Sequence, residues 1–184
     1  MPLTRREFIK GSAALVLASS VPVWMRCSPD TGGPLSRRQA AIARRVMQII
    51  LPDDELGPGA DAIHALEFLR WTLSDPFYDP DIQRLIVKGI DDLDRRAKKM
   101  HGRSFTALDA EAQAAMVNAM AEEGDGWLSR MISVVLEALL SDPIYGGNVE
   151  KAGWHWLHHY EGKPRPDAKT RYEVLMQKRH GGHV

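Results

Sequence analysis

Between Ile82 and Met100 the apolar side chains fall at Ile82, Leu85, Ile86, Ile90, Leu93, Ala97 and Met100, and charged residues fill most of the places between them. Recurrence at three and four residues is the signature of a helix with one dry and one wet face. Asp79 and Pro80 supply a cap and a first turn ahead of it, and Gly102 supplies the stop. The same period returns along the chain. Ser36 and Gln39 form a capping-box pattern, and Ala40, Ile42, Ala43, Val46, Met47, Ile50 and Leu51 follow on one face as far as Pro52. Further apolar-periodic segments run from Ile63 to Leu73, from Asp109 to Glu123 through Met116, Val117 and Met120, and from Gly126 to Leu140. In the last of these, Leu128, Met131, Ile132, Val135, Leu136, Leu139 and Leu140 leave little of the circumference polar, which predicts a central, most buried helix. No segment alternates with period two for long enough to make a sheet. The sequence therefore predicts an all-α fold, a single compact domain of about five helices.

Composition narrows the function. With 44% hydrophobic residues in 184, the chain has enough apolar surface for one core. Lys plus Arg and Asp plus Glu number 24 each, so no net field draws nucleic acid or an anionic membrane. The single cysteine, Cys27, leaves no internal disulfide, no multi-cysteine metal motif and no Cys-X-X-Cys-His attachment of c-type haem.

The N-terminus reads as an address. "TRREFIK", Thr4 to Lys10, precedes the apolar run from Gly11 to Met25, and the pair Arg5 and Arg6 followed by Phe8 and Lys10 resembles a twin-arginine export signal. The run is shorter than the roughly 20 apolar residues of a membrane span. "ASS" at Ala18 to Ser20 meets the small-residue requirement for cleavage, and an uncleaved anchor is the open alternative. A lipid anchor on Cys27 is disfavoured by Trp24, Met25 and Arg26 before it, where small residues would be expected. The expected organisation is a signal segment over 1–25, a linker over 26–36 rich in Pro, Gly, Ser and Asp, a helical domain over 37–162, and a tail over 163–184. The tail has room for a short helix from Asp167 to Lys178 packed by Tyr172, Leu175 and Met176.

Three places carry chemistry-bearing residues. His155, His158 and His159 stand at i, i+3 and i+4, a spacing that on a helix lets imidazoles share a metal ion, or that ends a solvated helix. Asp53, Asp54 and Glu55 form an acidic loop, open to general acid-base catalysis, to calcium binding or simply to water. The third is "SDPIYGGNVEKAGW", Ser141 to Trp154, where Asp142, Pro143, Ile144, Tyr145, Gly146, Gly147, Asn148 and Trp154 gather turn residues and aromatics in one place. Such a loop suits a partner interface, and the same residues suit internal packing. Neither Gly57 nor Gly146 lies in a dinucleotide fingerprint, and a P-loop is absent, so no nucleotide cofactor is expected in this chain.

Read together, "LPDDELGPGADAIHALEFL" (Leu51 to Leu69), "HGRSFTALDAEAQAAMV" (His101 to Val117) and the Ser141 to Trp154 motif resemble the gluconate 2-dehydrogenase subunit 3 family over Leu51 to Gly162. The last motif is the specific one. The family pattern after Trp154, a small residue, an aromatic and Pro-Gly, is replaced here by "HHYEG" at His158 to Gly162. The resemblance implies a small helical subunit, not catalytic alone, of an exported sugar or polyol dehydrogenase. It implies a large-subunit partner, a flavoprotein of the glucose-methanol-choline type holding FAD, with a c-type cytochrome and its haem as a further electron-transfer subunit. It also implies a role in folding, twin-arginine co-export or assembly of that partner. The expected location is the periplasm, including the periplasmic face of the inner membrane, with membrane association only through a partner or an uncleaved signal. Two other readings stay open: a metal-binding module built on His155, His158 and His159, and an enzyme acting alone through the loop at Asp53.

Replacing Arg5 and Arg6 with lysine is expected to retain the chain, and any flavoprotein lacking its own signal, in the cytoplasm. Cell fractionation checks this, and normal periplasmic levels of both proteins would refute it.

Overall fold

Capping chemistry sets where most of the helices begin. A computed structural model of the chain describes residues 33–162 and 165–180. Helix α1 spans Arg37–Ile50, and both halves of its capping box form: the Ser36 side chain accepts from the Gln39 amide, and the Gln39 side chain accepts from the Ser36 amide at 3.0 Å. Ala40, Ile42, Ala43, Val46 and Met47 are its buried face. The helix stops one residue short of Leu51, which precedes Pro52 and so is pushed out of helical geometry. α2 spans Ala65–Ser74. It begins two residues later than the periodicity predicts, because His64 adopts a left-handed conformation (φ 53°) and leaves the fully buried Ile63 in the preceding loop.

α3 spans Pro80–His101, capped by Asp79, whose side chain accepts from the Asp81 amide at 2.7 Å, and ended by Gly102 at φ 69°. Its core line is Ile86, Gly89, Ile90, Leu93 and Ala97. Leu85 and Met100, expected on that line, are exposed. Leu85 points about 100° away from Ile86, and Met100 lies in the last turn, beyond the helix's last buried residue. A 3-10 turn, Phe105–Ala107, leads to α4, Ala110–Glu122, and then Asp125 caps α5, Gly126–Leu140.

α5 is central, packing against α1, α2, α3, α4 and the short helix α6, Ala152–Trp156. Trp127, Leu128, Met131, Val134, Val135, Ala138 and Leu139 are buried. Its far side is not: Ile132 is 38%, Leu136 50% and Leu140 52% exposed, because the domain covers only one side of a helix whose apolar residues reach round both. Trp127 crosses to α3 and donates its indole N–H to the Ile86 carbonyl at 3.0 Å. Gly89 makes that approach feasible, since a Cβ there would fall on the Trp127 ring.

The tail turns at Asp167, whose side chain accepts from the Lys169 and Thr170 amides, and then forms α7, Tyr172–His180. Tyr172 and Leu175, expected as its packing residues, are exposed, and α7 buries no residue fully. It is attached by polar contacts and one ring stack: Trp71 donates its indole N–H to Glu173 at 2.7 Å, the Tyr172 amide donates to the Tyr145 hydroxyl at 3.2 Å, and His180 stacks on Phe77 with ring centres 5.5 Å apart. The described residues thus hold five long helices and two short ones, with no strand among them.

One carboxylate anchors the connection between α3 and α4. Asp94, with 1% of its side chain exposed, lies 2.6 Å from Arg38 and 2.8 Å from Lys98, and accepts from the Phe105 amide at 3.0 Å. Burial pushes this carboxyl up, but the bonds from Lys98, Phe105 and Arg38 outweigh burial and hold it below its ordinary value. The unfolded chain therefore binds the proton more readily. Asp94's contribution is complete above the ordinary carboxylate range at about pH 4 and fades as the pH falls through the lowered folded value. Asp94→Asn is expected to flatten the acid limb of a urea-unfolding pH profile. Asp94→Ala is expected to cost a further 1–3 kcal/mol or so by orphaning the buried Phe105 amide.

Candidate interface at the end of α5

Where α5 ends, the chain makes two 3-10 turns, Pro143–Tyr145 and Val149–Lys151, before α6. Asp142 caps the first by accepting from the Ile144 amide at 3.1 Å, and Gly146 closes it at φ 87°, a value that disfavours any side chain. Asn148 is fully buried. Its amide side chain donates to the Ser141 carbonyl at 2.9 Å and accepts from the Gly153 amide at 2.8 Å, while its own backbone N–H donates to the Ile63 carbonyl at 2.8 Å. Gly147 and Gly153 lie hard against α5: a Cβ on Gly147 would sit 2.9 Å from the Ala138 carbonyl, and one on Gly153 would overlap Leu139.

The aromatics of the loop separate. Trp154 is 6% exposed and donates its indole N–H to the Leu140 carbonyl at 2.9 Å. Tyr145 is half-buried, its ring 4.9 Å from that of Trp71. Pro143 and Ile144 are likewise half-buried. Asp142 has 9% of its side chain exposed and receives two bonds from Arg165, at 2.9 and 3.1 Å. The Arg165 guanidinium also lies 5.7 Å from the centre of the Trp154 ring and pairs with Glu161 at 3.2 Å; Glu161 pairs in turn with Lys151 at 2.8 Å. Burial raises the Asp142 carboxyl, but Arg165 and the Ile144 amide together hold it below its ordinary value.

The histidines do not share a helical face. α6 ends at Trp156, so only His155 is helical; His158 turns left-handed (φ 51°), and His159 stands edge-on to Trp154 at 5.5 Å. Among the described residues no group of three or more His, Cys, Asp or Glu is placed to hold a metal ion. In the acidic loop, Asp53 accepts from the Gly59 amide at 3.3 Å and Asp54 from the Leu56 amide at 2.8 Å, while Glu55 is exposed. That loop is fastened from a distance, since Trp156 donates its indole N–H to the Leu56 carbonyl at 2.6 Å and lies where a Cβ on Gly57 would be. Sequence reasoning missed Trp156, Trp71 and Arg165, whose partners are remote along the chain; the one local signal was the glycine at position 57. Arg5, Arg6, Phe8 and Lys10 lie outside the described residues.

The motifs at Leu51 to Leu69 and Ser141 to Trp154 are thus neighbours in space, joined by Asn148 and Trp156. A family model, gluconate 2-dehydrogenase subunit 3, matches residues 37–162. The chain belongs to the gluconate 2-dehydrogenase subunit 3 family. The match takes in α1 as well as the segment that the motifs cover, and it ends at Gly162, ahead of the strap formed by Arg165 and α7. No curated protein and no solved structure matches the chain. Family membership makes this subunit 3 chain an accessory part of a dehydrogenase complex.

Within the subunit 3 domain, Trp154→Ala is expected to cost on the order of 3–5 kcal/mol of stability, as removal of a buried aromatic does. Tyr145→Ala is expected to cost the isolated chain less, because its ring is half-buried. Chemical denaturation of both variants checks the order.

Proposed function

We propose that this chain is the non-catalytic small subunit of a periplasmic, FAD-dependent sugar or polyol dehydrogenase, and that it assists folding, twin-arginine co-export or assembly of a glucose-methanol-choline-type flavoprotein. The observation that carries this is the subunit 3 match across the helical domain from Arg37 to Gly162. The buried polar side chains of the domain are engaged in its own structure. Asp94, Gln113, Asn148 and Trp154 bond to backbone groups that hold the domain together. The twin-arginine pattern at Arg5 and Arg6 supports export of a complex already folded around its cofactor. FAD belongs to the flavoprotein in this reading, and c-type haem to a further electron-accepting subunit.

The test is to produce the flavoprotein with and without this chain and to measure its flavin content, periplasmic yield and sugar oxidation with an artificial electron acceptor. The expected outcome is a colourless, inactive small subunit and a flavoprotein whose exported, flavin-loaded yield falls severalfold without it. Flavin absorbance or sugar oxidation by the isolated chain would overturn the non-catalytic assignment. An undiminished flavoprotein yield would overturn the assisting role.

A further inference from the structure

The Asp142 carboxylate is nearly buried, and Ile144 gives it only a backbone N–H, so a cation must complete it. Arg165 does so with two bonds while lying over the Trp154 ring, and the Tyr172 amide and Glu173 reach Tyr145 and Trp71 beside it. The residues that receive these contacts belong to the family-matched domain; those that make them lie beyond its end at Gly162. The segment from Arg165 onward also has the marks of a separable element. α7 buries no residue fully, and Arg165, Pro166, Asp167 and Thr170 line an open cleft with Tyr145. Arg165 itself keeps 36% of its side chain in water, and the Trp71–Glu173 and Tyr172–Tyr145 contacts are single hydrogen bonds, so the segment as a whole is lightly held.

We propose that the surface formed by Trp71, Asp142, Tyr145 and Trp154 is the docking site for an extended, arginine-bearing segment of the dehydrogenase subunit, and that the chain's own segment from Arg165 to α7 occupies it until that subunit arrives. The preference for arginine follows from charge complementarity: Asp142 takes two bonds from the Arg165 guanidinium at 2.9 and 3.1 Å, and an arriving segment that displaces it without a guanidinium gives up both. The aromatic rings on either side suit the flat guanidinium and the backbone behind it. The segment acts as a placeholder, lowering apparent affinity by the fraction of time it is seated.

The inference rests on the accessory-subunit reading, and the experiment separates the two. The flavoprotein is titrated with the full chain, with a chain ending at Gly162, and with Arg165→Gln, while thermal unfolding of each is recorded. Both altered chains are expected to bind roughly fivefold tighter than the full chain, in keeping with a weakly seated competitor. A synthetic peptide of residues 165–180 added to the shortened chain is expected to weaken binding again, and the same peptide with Gln for Arg165 is not. In the shortened chain, Asp142→Asn is expected to lose binding at least tenfold. Equal or weaker binding by both altered chains, with full-chain binding intact, overturns the placeholder and leaves the accessory role standing. A shortened chain that fails to fold shifts the decision to Arg165→Gln and the peptides. If the full chain and Arg165→Gln both fail to bind the flavoprotein, the accessory reading fails, and the docking site with it.

Discussion

A single buried amide, that of Asn148, ties three parts of the chain at one point. Its side chain links the carbonyl of Ser141, just past α5, to the first turn of α6, and its backbone N–H reaches the segment before α2. All of this depends on a left-handed backbone (φ 47°), which asparagine tolerates better than most residues. The glycines on either side let the loop lie on α5, and that contact places Trp154 against the Leu140 carbonyl and Tyr145 beside Trp71. The density of turn residues in this loop is therefore a requirement of close approach. Each residue removes a Cβ, reverses the chain or satisfies a buried backbone group.

Two carboxylates do the corresponding work at the two connections of the bundle. Asp94 and Asp142 are both nearly excluded from water, and each accepts an amide from a 3-10 turn while facing a cation from elsewhere in the sequence. One fixes the passage from α3 to α4, the other the passage from α5 to α6. Pairs such as Arg44 with Asp61 and Arg96 with Glu123 lie on the surface, where such contacts contribute little. The equal numbers of acids and bases thus conceal an uneven distribution of importance.

The starts of α1, α3, α4 and α5 were legible because the information is local. Ser36 with Gln39, Asp79 with Pro80 and the acids before α4 and α5 each act within one turn, so sequence and structure agree there. Periodicity was also a sound guide to which side of α1 and α3 faces inward. It could not say which of two apolar sides of α5 the domain would cover, since that depends on how many neighbours the chain can supply. Nor could it reveal that His64 would delay the start of α2, or that α6 would stop before His158, both of which turn on left-handed residues that carry no periodic signal. At the candidate interface the loop was legible as a unit through its glycines and prolines. The Arg165 clasp and the Trp156 anchor were not, because contacts across 23 and 100 residues leave no trace in spacing.

The uncovered line on α5 has a thermodynamic consequence. Ile132, Leu136 and Leu140 keep apolar area in water that the domain's own packing never removes, and such area is worth roughly 25 cal/mol for each Å² buried. Any surface that covers it in the folded chain and not in the unfolded one draws the equilibrium toward the folded state by mass action. The melting temperature of this domain is then a property of its company and concentration as well as of its sequence.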